Sequence, residues 1–336
     1  MGPAAAAFLG PNCIANLKNM SVTAALAARD TESVDAMVVL RKRLRVREFR
    51  DRIIETLLML AALVAVFTTA AIVYILVSES LPFFAHVSLR EFFTDTMWTP
   101  MFDQARFGIM PLVAGTLVTT FVALCLAIPC GTVIAIYLSE FAPYKLREIV
   151  KPALELLGAV PTVVYGYFAL LMVTPFLQKF IPGLPGFNML SPGLVIGIMI
   201  IPYVASVSED AMRAVPNYMR EGSYAMGATR FQTATRVVVP GALSGIAAAY
   251  ILGISRAVGE TMVVAIAAGL QPNLTWNPLH SAATITSFIV QVSLGDLPHG
   301  SIGYQSIFAA GLVLMLTTLV FNIAGFFLTR RFREVY

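Results

Sequence analysis

Arg256 and Glu260 are the residues on which ligand chemistry in this sequence would rest. They stand four apart inside an apolar stretch of membrane length, residues 237–269. A central Arg costs about 2.5–3.5 kcal/mol on membrane-insertion scales, so a charge there needs a reason. Residues i and i+4 share a helix face, which predicts a cation and an anion side by side on one stripe. A guanidinium presents planar, forked donors that match the oxygens of phosphate or a related oxyanion. Glu260 would then hold that fork until an anion displaced it. The bland alternative is an ion pair that joins two helices and never meets a ligand.

Other chemistries lack their residues. The sequence contains no G-x-x-x-x-G-K-[ST] phosphate loop, so ATP hydrolysis is not expected on this chain. His86, His280 and His299 have no metal-ligand spacing, and no nucleophile stands beside a base. Cys125 and Cys130 lie in an apolar stretch without His or acidic neighbours, and Cys13 lies in the N-terminal tail. All three read as free of metal or redox function.

The elements that must position Arg256 and Glu260 can be read outward from them. Gly245, Ala249 and Gly253 recur every four residues on the same stripe, and such small residues let another helix approach closely. Just upstream lies a polar, helix-forming segment. Asn217 is placed to cap a short helix from Tyr218. Gly227 is placed to end it in a left-handed turn. Thr229 and Gln232 have capping-box spacing, so a second helix should run from Arg230 toward Pro240. Two short helices bent at a glycine make a protruding elbow with Met219, Tyr224, Met226 and Phe231 as anchors for a partner. An ordinary connecting loop is the competing reading.

Composition places these pieces in a membrane. Of 336 residues, 58% are hydrophobic and 12% charged, and the mean hydropathy is +0.79. That is an all-α polytopic membrane protein. Six apolar stretches of at least bilayer length occur, at about 56–77, 109–139, 156–177, 189–208, 237–269 and 301–329. The second, fifth and sixth are over-long and should tilt, bend or project. Pro129, Pro161, Pro175 and Pro202 fall inside spans, where neighbouring helices must satisfy the carbonyls they free. The domain division expected is a partly disordered cytoplasmic tail over 1–52 and a transmembrane domain over 53–336. Met20 offers an alternative start, and the tail lacks the pattern of a cleaved signal peptide.

Charge sets the orientation. Nine of the 23 Lys and Arg residues precede the first apolar stretch, and others cluster as Lys145, Arg147 and Lys151, as Arg213, Arg220, Arg230 and Arg236, and as Arg330, Arg331 and Arg333. The remaining loops hold only Arg90, Arg106 and Lys179. The positive-inside rule puts both termini and the elbow in the cytoplasm. It also accounts for the net charge of +4 without nucleic acid. The loop over 271–300 then lies outside, with an apolar centre at 285–294 that suits the interface or a shallow dip into the bilayer.

Spacing also carries a family resemblance. Glu221-Gly222-Ser223, then Gly227, then nine residues before Val237-Val238-Val239-Pro240 resembles the cytoplasmic coupling loop of binding-protein-dependent ABC-transporter permeases. Gly222 and Ser223 replace the alanines of that pattern, and a Gly costs about 1 kcal/mol relative to Ala in a helix. Arg256-Ala257-Val258-Gly259-Glu260-Thr261, the stretch from Glu155 to Gly166, and Thr96-Met97-Trp98-Thr99-Pro100 are similar to the phosphate permeases within that family.

The resemblance implies a phosphate-import subunit of a bacterial cytoplasmic membrane, with Arg256, Glu260 and Thr261 on the substrate pathway. It implies ATPase coupling through Glu221, Gly222, Ser223, Tyr224, Met226, Gly227, Phe231 and Pro240. It further implies a homologous second permease subunit, two cytoplasmic ATPases carrying ATP and Mg, and an external phosphate-binding protein. Another oxyanion, such as sulfate or molybdate, is the nearest alternative. An ion-coupled secondary transporter is a more distant one.

Overall fold

The computed structural model describes residues 11–102, 104–298 and 300–331, with the side chains of 11–46, 48, 49 and 296 outside the description. The expectations for residues 1–10, His299 and Arg333 lie outside the described residues. The chain divides into two units between Val73 and Tyr74. α1 (Pro11–His86) takes in residues 11–52 together with the first apolar stretch. Its part Arg50–His86 is long and apolar enough to cross a membrane.

The protein is all-α. Among the described residues the only β pairing is an isolated bridge between Trp98 and Phe107. α2 (Leu89–Thr94) is followed by α3 (Met110–Ile136), which runs on through a π turn to Phe141. α4 (Tyr144–Ala159) meets α5 (Thr162–Phe168), which continues through a π turn into α6 (Thr174–Gln178). α7 (Leu190–Arg213) precedes the elbow, α8 (Asn217–Ala225) and α9 (Arg230–Thr233). A π turn and α10 (Val239–Gly241) lead into α11 (Leu243–Val258), then α12 (Met262–Ala267), α13 (Ile285–Gln291) and α14 (Ile302–Arg331). Four helices among the described residues are long and apolar enough to span a membrane, and two bent pairs bring the total to as many as six.

The bends fall in two of the apolar stretches, the third and the over-long fifth, for which a tilt, bend or projection was expected. The third is not one helix: α4 and α5 meet at 86°, at Val160-Pro161. The fifth is broken twice. The helical stretch ending at Gly241 meets α11 at 72°, and α11 stops at Val258 with Gly259 as its C-cap. Pro161 has no N–H for the carbonyl of Leu157, four residues before it. The Tyr165 hydroxyl donates to that carbonyl instead, at 2.7 Å.

α7 is the centre of the bundle, and small residues set its neighbours. A Cβ at Gly193 would lie 2.7 Å from Val122 Cγ1, and one at Gly197 2.8 Å from the Ala123 carbonyl oxygen. Both place α3 beside α7 and parallel to it. α11 runs antiparallel on another face, where the position of a Gly245 Cβ is already filled by Ala211 and Gly253 faces Ile200 and Val204. The Gly245, Ala249 and Gly253 stripe therefore packs as expected. Tyr250 and Thr132 share a hydroxyl hydrogen bond of 2.7 Å between α11 and α3.

A second cluster covers one end of this unit. Phe83, Phe92, Trp98, Phe107 and Phe288 are buried together, with edge-to-face contacts such as Trp98 on Phe288 at 5.0 Å. The apolar centre at 285–294 is thus α13 and its π turn, with Ile285, Thr286, Ser287 and Phe288 buried inside the protein.

Candidate functional site

Arg256 lies in the last turn of α11, on the side facing α7. Its guanidinium carbon is 4.6 Å from the centre of the Tyr203 ring, a cation held on a π face. Its Nε is buried with no hydrogen-bond partner, and no carboxylate among the described residues lies within ion-pairing distance of it. The expected Arg256–Glu260 pair is therefore not made. The cause is local. Gly259 ends the helix, so positions 256 and 260 no longer share a helical face.

Glu260 does a different job. It is buried, and its Oε1 accepts from the Val263 N–H at 3.4 Å, near the first turn of α12. A carboxylate is favourable at such a helix start. The Glu260 backbone carbonyl accepts from the buried Thr286 hydroxyl at 2.7 Å, which joins the break to α13. Thr261, the third expected pathway residue, is the N-cap residue of α12, and its hydroxyl donates to the Gly259 carbonyl at 3.2 Å.

Two broken helices therefore lie side by side. Gly166 of α5 packs on α12, where an added Cβ would be 3.2 Å from the Met262 carbonyl oxygen. The Tyr203 hydroxyl donates to the Gly158 carbonyl at 3.4 Å, next to the α4–α5 bend. Tyr203 thus touches both Arg256 and that bend.

The elbow forms largely as its spacing predicts. Gly227 has φ +81°, and Thr229 and Gln232 make the full capping box. Ser223 and Thr233 share a hydroxyl hydrogen bond of 2.9 Å that ties α8 to the end of α9. Tyr224, Met226 and Phe231 are exposed, Met226 by 88%. Glu221, Gly222 and Pro240 are exposed as well. Two expectations fail. Pro216 takes the N-cap position, so Asn217 is the first helical residue and makes no cap. Met219 packs inward against the cluster of Met212, Val215 and Ile246.

Two polar groups escaped sequence reasoning. Arg220 of α8 pairs with Glu140 at 3.0 Å, both side chains largely buried. It also donates to the Met212 and Val215 carbonyls at 2.8 and 2.6 Å. One side chain thereby clamps the elbow to the ends of α3 and α7. Glu209 is the other: 1% exposed, it meets Lys151 at 2.9 Å, Arg147 at 3.5 Å and Arg213 at 3.6 Å. Lys151 also reaches Asp210 at 2.7 Å. The available signal was the i,i+4 spacing of Arg147 and Lys151 on α4, opposite an acidic pair at the end of an apolar helix.

Among the described residues no group of three His, Cys, Asp or Glu side chains could hold a metal ion. A cavity of about 530 Å³ lined by Leu117, Phe121, Ile254, Trp276 and Phe321 is apolar and contains none of the expected site residues.

Residues 127–334 match the family of binding-protein-dependent transport system inner membrane components. The chain is 33% identical over 320 residues to a probable ABC transporter permease protein, YqgH, of Bacillus subtilis, covering 95% of this chain and 99% of that one. It is 32% identical over 262 residues to the phosphate transport system permease protein PstC of Mesorhizobium japonicum, covering 71% and 78%. Among solved structures, a bacterial ABC transporter that imports alginate superimposes with a TM-score of 0.56 at 16% identity, covering 81% and 96%. This chain belongs to the binding-protein-dependent transport system inner membrane components, the permease subunits of ABC importers.

Proposed function

We propose that this permease subunit carries phosphate, and that Arg256 meets the anion in transit. The observation that carries the reading is the state of Arg256. Among the described residues its guanidinium is paired with no carboxylate; it rests on a ring, with a buried Nε that has no partner there. A forked donor left open in this way suits a brief contact with an oxyanion. The similarity to PstC proteins supports phosphate as the anion. Glu260 and Thr261 act beside it by shaping the break between α11 and α12.

The termini and the elbow face the cytoplasm, and the end bearing Trp98 and Phe288 faces outward, following the charge of the loops. Cytoplasmic ATPases carrying ATP and Mg dock on Tyr224, Met226, Phe231 and the exposed Glu221-Gly222 turn. Their movement passes through the Ser223–Thr233 hydrogen bond and the Arg220 clamp into α3 and α7. A homologous second permease and an external phosphate-binding protein complete the assembly. The test is uptake of radiolabelled phosphate by proteoliposomes holding the whole complex, with sulfate and arsenate as competitors. ATP-dependent uptake displaced by arsenate and not by sulfate is expected, and sulfate carried in preference to phosphate would overturn the anion assignment.

A further inference from the structure

The break after α4 leaves carbonyls exposed in an apolar surrounding, and two tyrosines answer them. Tyr165 serves Leu157 at 2.7 Å from within the same broken segment. Tyr203 serves Gly158 from α7, at a longer 3.4 Å. The second contact is peculiar to Tyr203 because the same side chain carries Arg256 on its ring face at 4.6 Å. Gly158 leaves just enough room: a Cβ there would lie 3.3 Å from the Tyr203 hydroxyl and 3.4 Å from Cζ.

We propose that Tyr203 is a positioning residue for the anion, holding the Arg256 guanidinium by its ring and the α4–α5 bend by its hydroxyl. The inference rests on Arg256 being the anion contact. A π face suits this task better than a carboxylate. It attracts a cation without neutralising it, so an arriving anion meets an undiminished positive charge and need not displace a competing anion. A flexible aliphatic side chain in its place would let the guanidinium wander from the pathway. Tyr203 is half-buried, so packing holds its side chain while part of it stays open.

The experiment compares phosphate moved per ATP hydrolysed in proteoliposomes of the whole complex, with saturating loaded binding protein. Tyr203→Leu is expected to lower that ratio at least fivefold in assembled complex. Tyr203→Phe, which keeps the π face, should restore it to within about twofold of the parent. Gly158→Ala, which crowds the ring, should give a smaller loss of the same kind. If Tyr203 only fills space, uptake and hydrolysis fall together in every variant and the ratio stays constant, which overturns the proposal. Should Tyr203→Leu fail to assemble, Tyr203→His and Tyr203→Met decide by the same ratio, with His expected above Met and equality counting against the proposal. The unaltered complex is measured first with phosphate and with sulfate. Failure to carry phosphate defeats the substrate reading alone, and the Tyr203 comparison is then made with the anion that is carried.

Discussion

The Arg256 guanidinium sits on the Tyr203 ring, while the Glu260 carboxylate four residues on faces the first turn of α12. This separation has a measurable consequence. Breaking a buried ion pair by removing one partner typically costs about 3–5 kcal/mol, because a charge is stranded. No carboxylate among the described residues depends on Arg256, so Arg256→Met should cost only about 0.5–2 kcal/mol, the worth of a cation–π contact. Thermal unfolding of the detergent-solubilised complex checks this. A loss as large as that of a broken buried pair would show that Arg256 has an ionic partner after all.

The elbow's turn tests coupling. Gly227 has φ +81°, and a Cβ added there meets nothing within 4 Å. Any effect of substitution is therefore a backbone effect. A β-branched side chain in that region is strained by about 1–2 kcal/mol, whereas Asn tolerates it. Gly227→Val should lower phosphate uptake per ATP severalfold and Gly227→Asn should retain most of it. Equal coupling in Gly227→Val and the parent would mean that the turn does not transmit force.

Arg220 offers a contrast within the same elbow. Removing it leaves Glu140 buried without its ionic partner, strands the Val215 carbonyl and takes one of the donors from the Met212 carbonyl. Arg220→Ala should therefore destabilise the complex by about 3–5 kcal/mol. The double change Arg220→Met with Glu140→Leu should recover part of that loss, because no charge remains buried. Yield of assembled complex and melting temperature report both. A double variant no better than the single would assign the damage to the lost carbonyl contacts.

Thr286 tests the break after α11. Its hydroxyl donates to the Glu260 carbonyl at 2.7 Å, and both groups are buried. Thr286→Val keeps the shape and strands the carbonyl, at about 1–3 kcal/mol. Thr286→Ser should recover most of that stability. If the valine and serine variants melt alike, the hydrogen bond contributes nothing to holding the break in place.

Much of the architecture was legible because apolar length and turn chemistry are local properties. The six apolar stretches, the small-residue stripe at Gly245, Ala249 and Gly253, the Gly227 turn and the Thr229–Gln232 box each depend on residues within a few positions of one another. The helix axes were not legible. Apolar length says that a segment can lie in a membrane, not that it is straight. Whether Pro161 kinks a helix or ends it at 86° depends on Tyr165 and Tyr203 being there to serve the freed carbonyls. The Arg256–Glu260 pair was read from i,i+4 spacing, which holds only while the helix continues, and Gly259 stops it. Tyr203 itself carried no signal, because one Tyr in an apolar helix has no periodicity to betray a cation 53 positions away. Glu209 and Arg220 were hidden for a similar reason: their shortest ion pairs, with Lys151 and Glu140, join positions 58 and 80 apart.

Whether Arg256 contacts the anion in transit, as proposed, is decided by phosphate transport in Arg256→Met. The measurement is radiolabelled phosphate taken up per ATP hydrolysed by proteoliposomes containing equal amounts of assembled complex. Arg256→Met should assemble, still hydrolyse ATP in response to loaded binding protein, and move at least tenfold less phosphate per ATP. Arg256→Lys should fall between it and the parent, since an ammonium keeps the charge and loses the fork. Full uptake by Arg256→Met in assembled complex would contradict the account and place the anion's contact elsewhere.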